Sequence, residues 1–378
     1  MTAARPARIR LAALPTPLVP APRLAQALRT GPLYIKRDDL TGFAIGGNKA
    51  RPLEFLVAAA AADRADTLVT GGAPGSNFCA AAAAAAVRAG LRCELVLAGQ
   101  PSSRPGPALT LALFWGATVH WTGSAERETV DDQLPRATAA LSSRGHRPFL
   151  IPRGGATGLG AIGYALAAFE LREQLAAVGV VGARVVVAVG SGGTLAGLVA
   201  GNVLLGRPWT LVGGSVSRPP EEAARRVLAL SRECARLLAE AGMLDSGARG
   251  TAPGTGSPAP GTGGPAPGTG GPAPGTGGPA PGTGGPAPGT GRAVPGTAEP
   301  MPGDVVVVDA RGPGHGLPSP EGLAAAEQAM RTEGLMVDPV YTAKALSLVP
   351  RCADGGDMVF WHTGGLLDAV AAAAGAQP

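Results

Sequence analysis

Short apolar runs alternate with alanine-rich helical stretches along most of this chain, and that alternation decides the fold class. "LYIKR", "TLVT" (67–70), "CELVLA" (93–98), "ATVHW" (117–121), "VVVAV" (185–189), "TLVGGSV" (210–216), "VVVV" (305–308) and "MVFWH" (358–362) read as strands. Between them lie helical stretches such as "NKARPLEFLVAAAAA", "SNFCAAAAAAAVRAG" and "GAIGYALAAFELREQLAAVG". Strand runs this apolar suit burial on both faces, which parallel sheets require. Strands of that kind, separated by helices, predict an α/β protein of doubly wound three-layer domains with mainly parallel sheets. The length of 378 residues allows roughly two domains. In such sheets ligands gather where strands end and helices begin, so the strand-to-helix turns carry the functional reading.

One segment breaks the pattern. From about residue 250 to 303 the chain repeats "GTGGPAP" with a seven-residue period. It holds almost nothing that could be buried, and its glycines do not recur every third residue, which excludes a collagen triple helix. A disordered, Gly/Pro-rich insertion without a catalytic role is expected.

Composition narrows the function classes. Only 4% of residues are aromatic, so the core must be built from Ala, Val and Leu. The net charge is +5, but the arginines are scattered and no basic stripe carries interleaved aromatics, which argues against nucleic acid. Cys79, Cys93, Cys234 and Cys352 lack C-x-x-C spacing, and with four histidines in the chain no zinc pattern emerges. The stretch "MTAARPARIRLAALPTPLVPAP" is broken by prolines where a secretory signal needs an apolar region. No apolar run reaches the ~18 residues of a membrane span. A cytoplasmic enzyme with no membrane partner is expected.

Lysine is scarce. Lys36, Lys49 and Lys344 are the only three, and the other basic residues are arginine. Arginine supplies charge but not a neutral amine, whereas a lysine can be tuned to lose its proton and form a Schiff base. Each lysine is therefore a candidate for amine chemistry or a surface survivor. Lys49, in "GFAIGGNKARPLEF", follows two glycines and an asparagine. Lys36, in "IKRDD", reads as a charge-paired strand end, and Lys344 as a support for the helix after Tyr341.

Two turns invite an anion. In "VGSGGTLAGLVAGN" (189–202) a strand runs through glycines into a helix whose N-terminus offers free N–H groups. The dinucleotide fingerprint fails there, since Leu195 stands at the third glycine position, and "GFAIGGNKA" fails as a P-loop because Asn48 and Ala50 interrupt it. A lone phosphate cup or a structural turn remains. In "VTGGAPGSNFCAAAA" (69–83), Ser76 and Asn77 open a helix, as ordinary N-caps or as a seat for a carboxylate.

A phosphate cup, a special lysine and a second anion site together suggest pyridoxal phosphate with an amino-acid substrate. The segments "KRDDLTGFAIGGNKARPLEF", "TGGAPGSN", "IPRGGATGLGAIGY", "VAVGSGGTLAGL", "EGLMVDPVYTAKAL" and "HTGG" occur in that order. In this the chain resembles the 1-aminocyclopropane-1-carboxylate deaminase/D-cysteine desulfhydrase family, within the tryptophan-synthase-β-like (fold type II) pyridoxal-phosphate enzymes. The resemblance implies Lys49 as the Schiff-base lysine, Asn77 beside the phenolic oxygen of the cofactor, and Ser191, Gly192, Gly193 and Thr194 around its phosphate. Ser76 would face the substrate and Tyr341 would be the active-site tyrosine. Thr342 would stand opposite the pyridine nitrogen, where the deaminases carry a glutamate. A hydroxyl there is a weaker support for the electron sink and suits β-elimination better than ring opening.

The sequence departs from the family at two positions. Phe78 stands where His or Gln follows Ser-Asn, beside the substrate. His315 stands in "GPGHGLP" where the family has a tyrosine, either as an acid/base titrating near neutrality or as a turn residue. The resemblance thus implies a lyase or deaminase that abstracts an α-proton from a small amino acid, eliminates its β-substituent and releases ammonia and a 2-oxo acid. Ring opening of the cyclopropane acid, β-replacement, and cofactor binding without turnover are the alternatives. The expected organisation is a large cofactor-binding domain (1–49 and 158–378, interrupted by the 250–303 repeat) and a small domain (50–157), assembled as a homodimer.

Overall fold

A computed structural model describes residues 6–242, 299–373 and 375. Of the stretch expected to form a disordered insertion, 250–298 lies outside them, whereas its last five residues, 299–303, are described: Pro300 is buried and accepts from Arg232, and Pro302–Asp304 form a 3-10 turn. Ten strands are described. β1 (Leu18–Pro20), β2 (Leu33–Arg37), β3 (Thr67–Gly72), β4 (Arg92–Leu97), β5 (Thr118–Trp121) and β6 (Pro148–Leu150) come first. β7 (Ala183–Val189), β8 (Trp209–Ser215), β9 (Val306–Asp309) and β10 (Met358–His362) follow.

The strands form two sheets. The larger has six strands in the order β1-β2-β10-β7-β8-β9, parallel except for β1. The smaller has four parallel strands in the order β5-β4-β3-β6. Every residue of β3 and β10 is buried, which is why their runs carry no polar alternation. Strand β10, late in the chain, inserts between β2 and β7, so the larger sheet is closed by residues from both ends of the sequence. Among the described residues no helix is long and apolar enough to cross a membrane.

Helices cover both faces of each sheet. On one face of the larger sheet, helices Gly158–Ala177, Gly193–Leu204 and Pro220–Glu240 bury Leu171, Leu198 and Val227 with Val185 and Val187. On the other, helices Pro22–Leu28 and Pro320–Glu333 bury Leu24 and Ala329 with Val186 and Phe360. The smaller sheet is covered by helices Ala50–Ala62 and Asn77–Ala89 on one face and Glu128–Ser143 on the other. The molecule is thus doubly wound α/β with mainly parallel sheets. We keep the division into residues 1–49 with 158–378 and 50–157 as a proposal. The strands partition at it, but helix Ala50–Ala62 gives Phe55 to one core and Leu53 to another.

Two contacts fix the turns that matter. Gly201 brings helix Gly193–Leu204 against helix Gly158–Ala177 so closely that a Cβ there would stand 2.6 Å from the Ala165 carbonyl oxygen. This backbone contact, with that of Gly197 on Ala161 nearer the helix start, fixes helix Gly193–Leu204 against its neighbour. A buried polar layer anchors the start of helix Ala50–Ala62. Arg51 donates to both oxygens of Asp38 at 2.9 and 2.8 Å and to both of Glu170 at 3.0 Å, while Tyr164 donates to Asp38 at 2.6 Å. Asp38 is held at a pKa of about 2: burial alone would raise it, but Arg51 and the hydrogen bonds outweigh burial.

Candidate functional site

The loops at the carboxyl ends of strands from both sheets converge on one cavity of about 670 Å³. Lys49 lies in its wall. The two glycines before it have a physical reason. Gly46 and Gly47 take φ of +72° and +85°, and a Cβ on Gly47 would stand 2.8 Å from the Thr363 carbonyl oxygen. The Asn48 amide donates to that same carbonyl at 2.8 Å, so the lysine turn lies backbone to backbone on the "HTGG" turn after β10. Lys49 then begins helix Ala50–Ala62, two residues from the Arg51 anchor. Among the described residues it has no ion-pair partner, and its enclosure in protein lowers its pKa from 10.5 to about 8.

The turn after β7 faces the same cavity. Ser191, Gly192 and Thr194 line it, and Gly193 starts a twelve-residue helix that no side chain caps. Its first N–H groups have no intrahelical acceptor, so they point a positive dipole end at the cavity. Asn48 donates its Nδ2 to Thr194 Oγ1 at 2.9 Å and so ties the lysine turn to this helix start.

Ser76, Asn77 and Phe78 enter from the smaller sheet, at the turn after β3. Ser76 caps helix Asn77–Ala89, with its Oγ accepting from the Cys79 N–H at 3.3 Å. Asn77 donates to Asp368 at 2.8 Å, and its own Oδ1 is buried with no partner among the described residues. Phe78 is 2% exposed, and its ring fills the space beside Gly155. It closes the cavity as a wall of the smaller sheet's core.

Tyr341 and His315 stand on the larger-sheet side. Tyr341 lies over Gly190, whose added Cβ would meet its ring at 3.2 Å, and burial raises its pKa to about 12. The His315 ring meets Tyr341 edge-on, with centroids 6.0 Å apart. Lys344 holds the His315 loop by donating to the carbonyls of Arg311 at 2.6 Å and Gly314 at 2.9 Å. Of the two readings open for His315, its surroundings oppose titration near neutrality. Although His315 is exposed, partial desolvation and the charges of Arg127, Lys344 and Arg218 push its pKa down to about 4. It is a neutral imidazole at pH 7.

The structure does not bring Thr342 to the cavity wall. Thr342 is fully buried, and its hydroxyl is hydrogen-bonded to the carboxylate of Asp338. Asp338 lines the cavity and accepts from the backbone N–H groups of Val340, Tyr341 and Thr342 at 3.0, 2.6 and 3.0 Å. Thr363, in the turn packed on the lysine turn, does line the wall.

The sequence reading missed four arginines. Arg127, Arg153, Arg218 and Arg226 all line the cavity, from four different loops and helices. Arg153 stood inside the quoted motif "IPRGGATGLGAIGY", but in a chain that writes nearly all its cations as arginine nothing in the sequence marks out the other three. Only their convergence in space does. Asn48, Asp338 and Asp368 were missed as well, although Asn48 and Asp338 stood inside quoted motifs.

Residues 9–247 match the family model described as pyridoxal-phosphate dependent enzyme. The chain is 34% identical over 371 residues to a D-cysteine desulfhydrase of Salmonella choleraesuis, covering 95% of this chain and 94% of that relative. Among solved structures it is similar to an ACC deaminase homologue, with a TM-score of 0.73, 27% identity, and coverage of 96% of this chain and 92% of that one. A serine racemase from Dictyostelium discoideum shares the fold with a TM-score of 0.55 at 15% identity, over 93% of this chain and 92% of that one.

Proposed function

The chain belongs to the pyridoxal-phosphate dependent enzymes, and on that premise we propose that it is a lyase of the D-cysteine desulfhydrase kind. It removes the α-proton of a small amino acid and expels the β-substituent, giving ammonia and a 2-oxo acid. The observation that carries this reading is Lys49: an enclosed amine with no ion-pair partner among the described residues, at the wall of a cavity, with its pKa lowered to about 8.

The residues fit the cofactor. The uncapped helix start at Ser191–Thr194 suits a phosphate, and the partnerless Oδ1 of Asn77 suits a ring hydroxyl. When bound, pyridoxal phosphate supplies an aldehyde and an electron-withdrawing ring that stabilises negative charge at Cα. Lys49 would hold the cofactor through its Nζ, and the same amine would take the α-proton of the substrate. The start of helix Asn77–Ala89, with Ser76, receives the substrate carboxylate. Tyr341 stays protonated at neutral pH and can donate from its hydroxyl to the departing group. Phe78 excludes water on the smaller-sheet side. A small amino-acid partner, a homodimeric assembly and a cytoplasmic location belong to the same proposal.

A screen of small amino acids for 2-oxo acid release, run with sulfide detection, tests it. Purified protein should show a visible absorbance band. A colourless protein that takes up no added pyridoxal phosphate, or a holoenzyme that releases no 2-oxo acid from any β-substituted amino acid, would overturn the reading.

A further inference from the structure

The elimination reading leaves Arg127 and Arg218 unexplained. The side chain of Arg127, at the head of helix Glu128–Ser143, has no hydrogen bond or ion pair among the described residues. Arg218 donates its Nη1 to the Gly190 carbonyl at 3.1 Å, under the ring of Tyr341. Each stands close enough to His315 to repel a proton from it. They come from opposite sheets and face the corner that holds Tyr341 and His315.

No carboxylate in the cavity wall answers Arg127. Asp131 is taken by a two-pronged pair with Arg153 at 2.9 and 2.6 Å. Asp338 is spent on backbone N–H groups and Thr342, and Asp368 on Asn77. Glu222 pairs with Arg218 at 3.0 Å but does not line the cavity and is half-exposed. The guanidinium of Arg127 is moreover depressed in pKa by burial and then by Arg153 and Arg218. A partly buried cation crowded by cations is costly without an anion. A cofactor phosphate would answer the other pair. Arg226 binds the Ser191 carbonyl at 2.9 Å, and Arg153 follows Pro152 next to Gly154, whose added Cβ would meet Ser191 at 2.8 Å. Arg218, on the carbonyl of Gly190 just before Ser191, borders both this turn and the ring of Tyr341, and Arg127 stands near Tyr341 and His315.

We infer that the departing β-substituent is itself an oxyanion, a sulfonate or a phosphate ester, received by Arg127 and Arg218 beside Tyr341. This rests on the elimination reading above. The guanidinium fork matches such groups with paired hydrogen bonds, which a neutral thiol cannot use. The α-proton goes to Lys49, a Cα–Cβ double bond forms, and the Cβ–S or Cβ–O bond breaks with its electron pair leaving as sulfite or phosphate. One water then converts the enamine to ammonia and a 2-oxo acid. No oxidant or reductant is needed.

The test uses the holoenzyme with cysteate, O-phosphoserine, cysteine and β-chloroalanine, each as both enantiomers, and follows 2-oxo acid release. At least one oxyanion substrate should exceed cysteine in kcat/KM by about 10-fold or more. Arg127→Gln should lower its kcat/KM relative to that for β-chloroalanine by about 10²-fold, chiefly through KM, and Arg127→Lys should restore part of it. In calorimetry, ethanesulfonate (an anion with no amine to react) should bind the wild-type holoenzyme about 10-fold more tightly than Arg127→Gln. Turnover of β-chloroalanine without preference for either oxyanion, or no change in the ratio or in ethanesulfonate binding on Arg127→Gln, overturns the inference alone. Failure of β-chloroalanine together with all the others sinks the elimination reading, and this inference with it.

Discussion

Lys36 and Lys49 are both enclosed by protein, yet they sit in opposite electrostatic regions. Lys36 belongs to the buried polar layer. It donates to the Thr16 carbonyl at 2.6 Å and to Gln174 at 2.7 Å, and it pairs with Glu170. Burial lowers its pKa, but Glu170 and Asp38 pull the other way. Lys49 borders the cavity and meets desolvation with no opposing charge. Enclosure alone therefore does not make an amine reactive. A lysine becomes chemically available when the protein withholds partners from it, and the same fold does both within one short stretch of chain.

The largest expected effect breaks the reactive side of the comparison. Lys49→Arg should lower turnover by about 10⁴-fold or more and abolish the visible band, because a guanidinium cannot form the imine. Circular dichroism should show the fold retained. A variant that kept the band would place the amine chemistry elsewhere.

Lys36→Met should destabilise the cofactor-free protein by about 2–4 kcal/mol in urea unfolding, since it strips one cation from Glu170 and leaves Gln174 Oε1 without its donor, while the Thr16 carbonyl keeps only Gln174 Nε2. The matching substitution should act with the opposite sign. Lys49→Met should stabilise the cofactor-free protein at pH 7 by about 1–3 kcal/mol. Between pH 8 and 10.5 the unfolded chain binds the Lys49 proton and the folded one does not, so wild-type stability rises with pH there. Below about pH 8 the cost of burying Lys49 is felt in full, and the gain from Lys49→Met should shrink as pH rises past 8. Equal signs for the two methionine variants would dissolve the distinction between the two regions.

The smallest expected effect concerns His315. With its pKa lowered to about 4, it should put no limb into the pH–rate profile between about pH 5.5 and 7.5. A limb in that window that vanishes in His315→Tyr would show that the surrounding cations do not suppress its protonation.

Most of the sheet architecture was legible because parallel strands buried on both faces must be written as continuous apolar runs. β1 and β6 were not, being three residues each and bounded or begun by proline, too short to show any period. The antiparallel pairing of β1 with β2 left no mark in the sequence either. Around the site, the lysine turn and the helix starts were legible because glycine and cap residues have local causes. Thr342 was misplaced because the step from Tyr341 into helix Thr342–Leu346 turns its side chain onto Asp338, a conformational detail that residue order does not encode. The arginines were invisible for the complementary reason: their meaning lies in what they approach across the cavity.

The contact between the lysine turn and the "HTGG" turn bears on how the sequence can change. A Cβ on Gly364 would stand 2.6 Å from the Gly47 Cα, and one on Gly47 would stand 3.3 Å from the Gly364 Cα. The two positions occupy one shared space with room for no side chain from either. Alanine at one site already displaces the other backbone, so the second alanine should add far less harm than the first, and the pair should be strongly non-additive. Because the lysine is only two residues along, variation at position 364, more than three hundred residues away in the chain, becomes a control on where the reactive nitrogen sits.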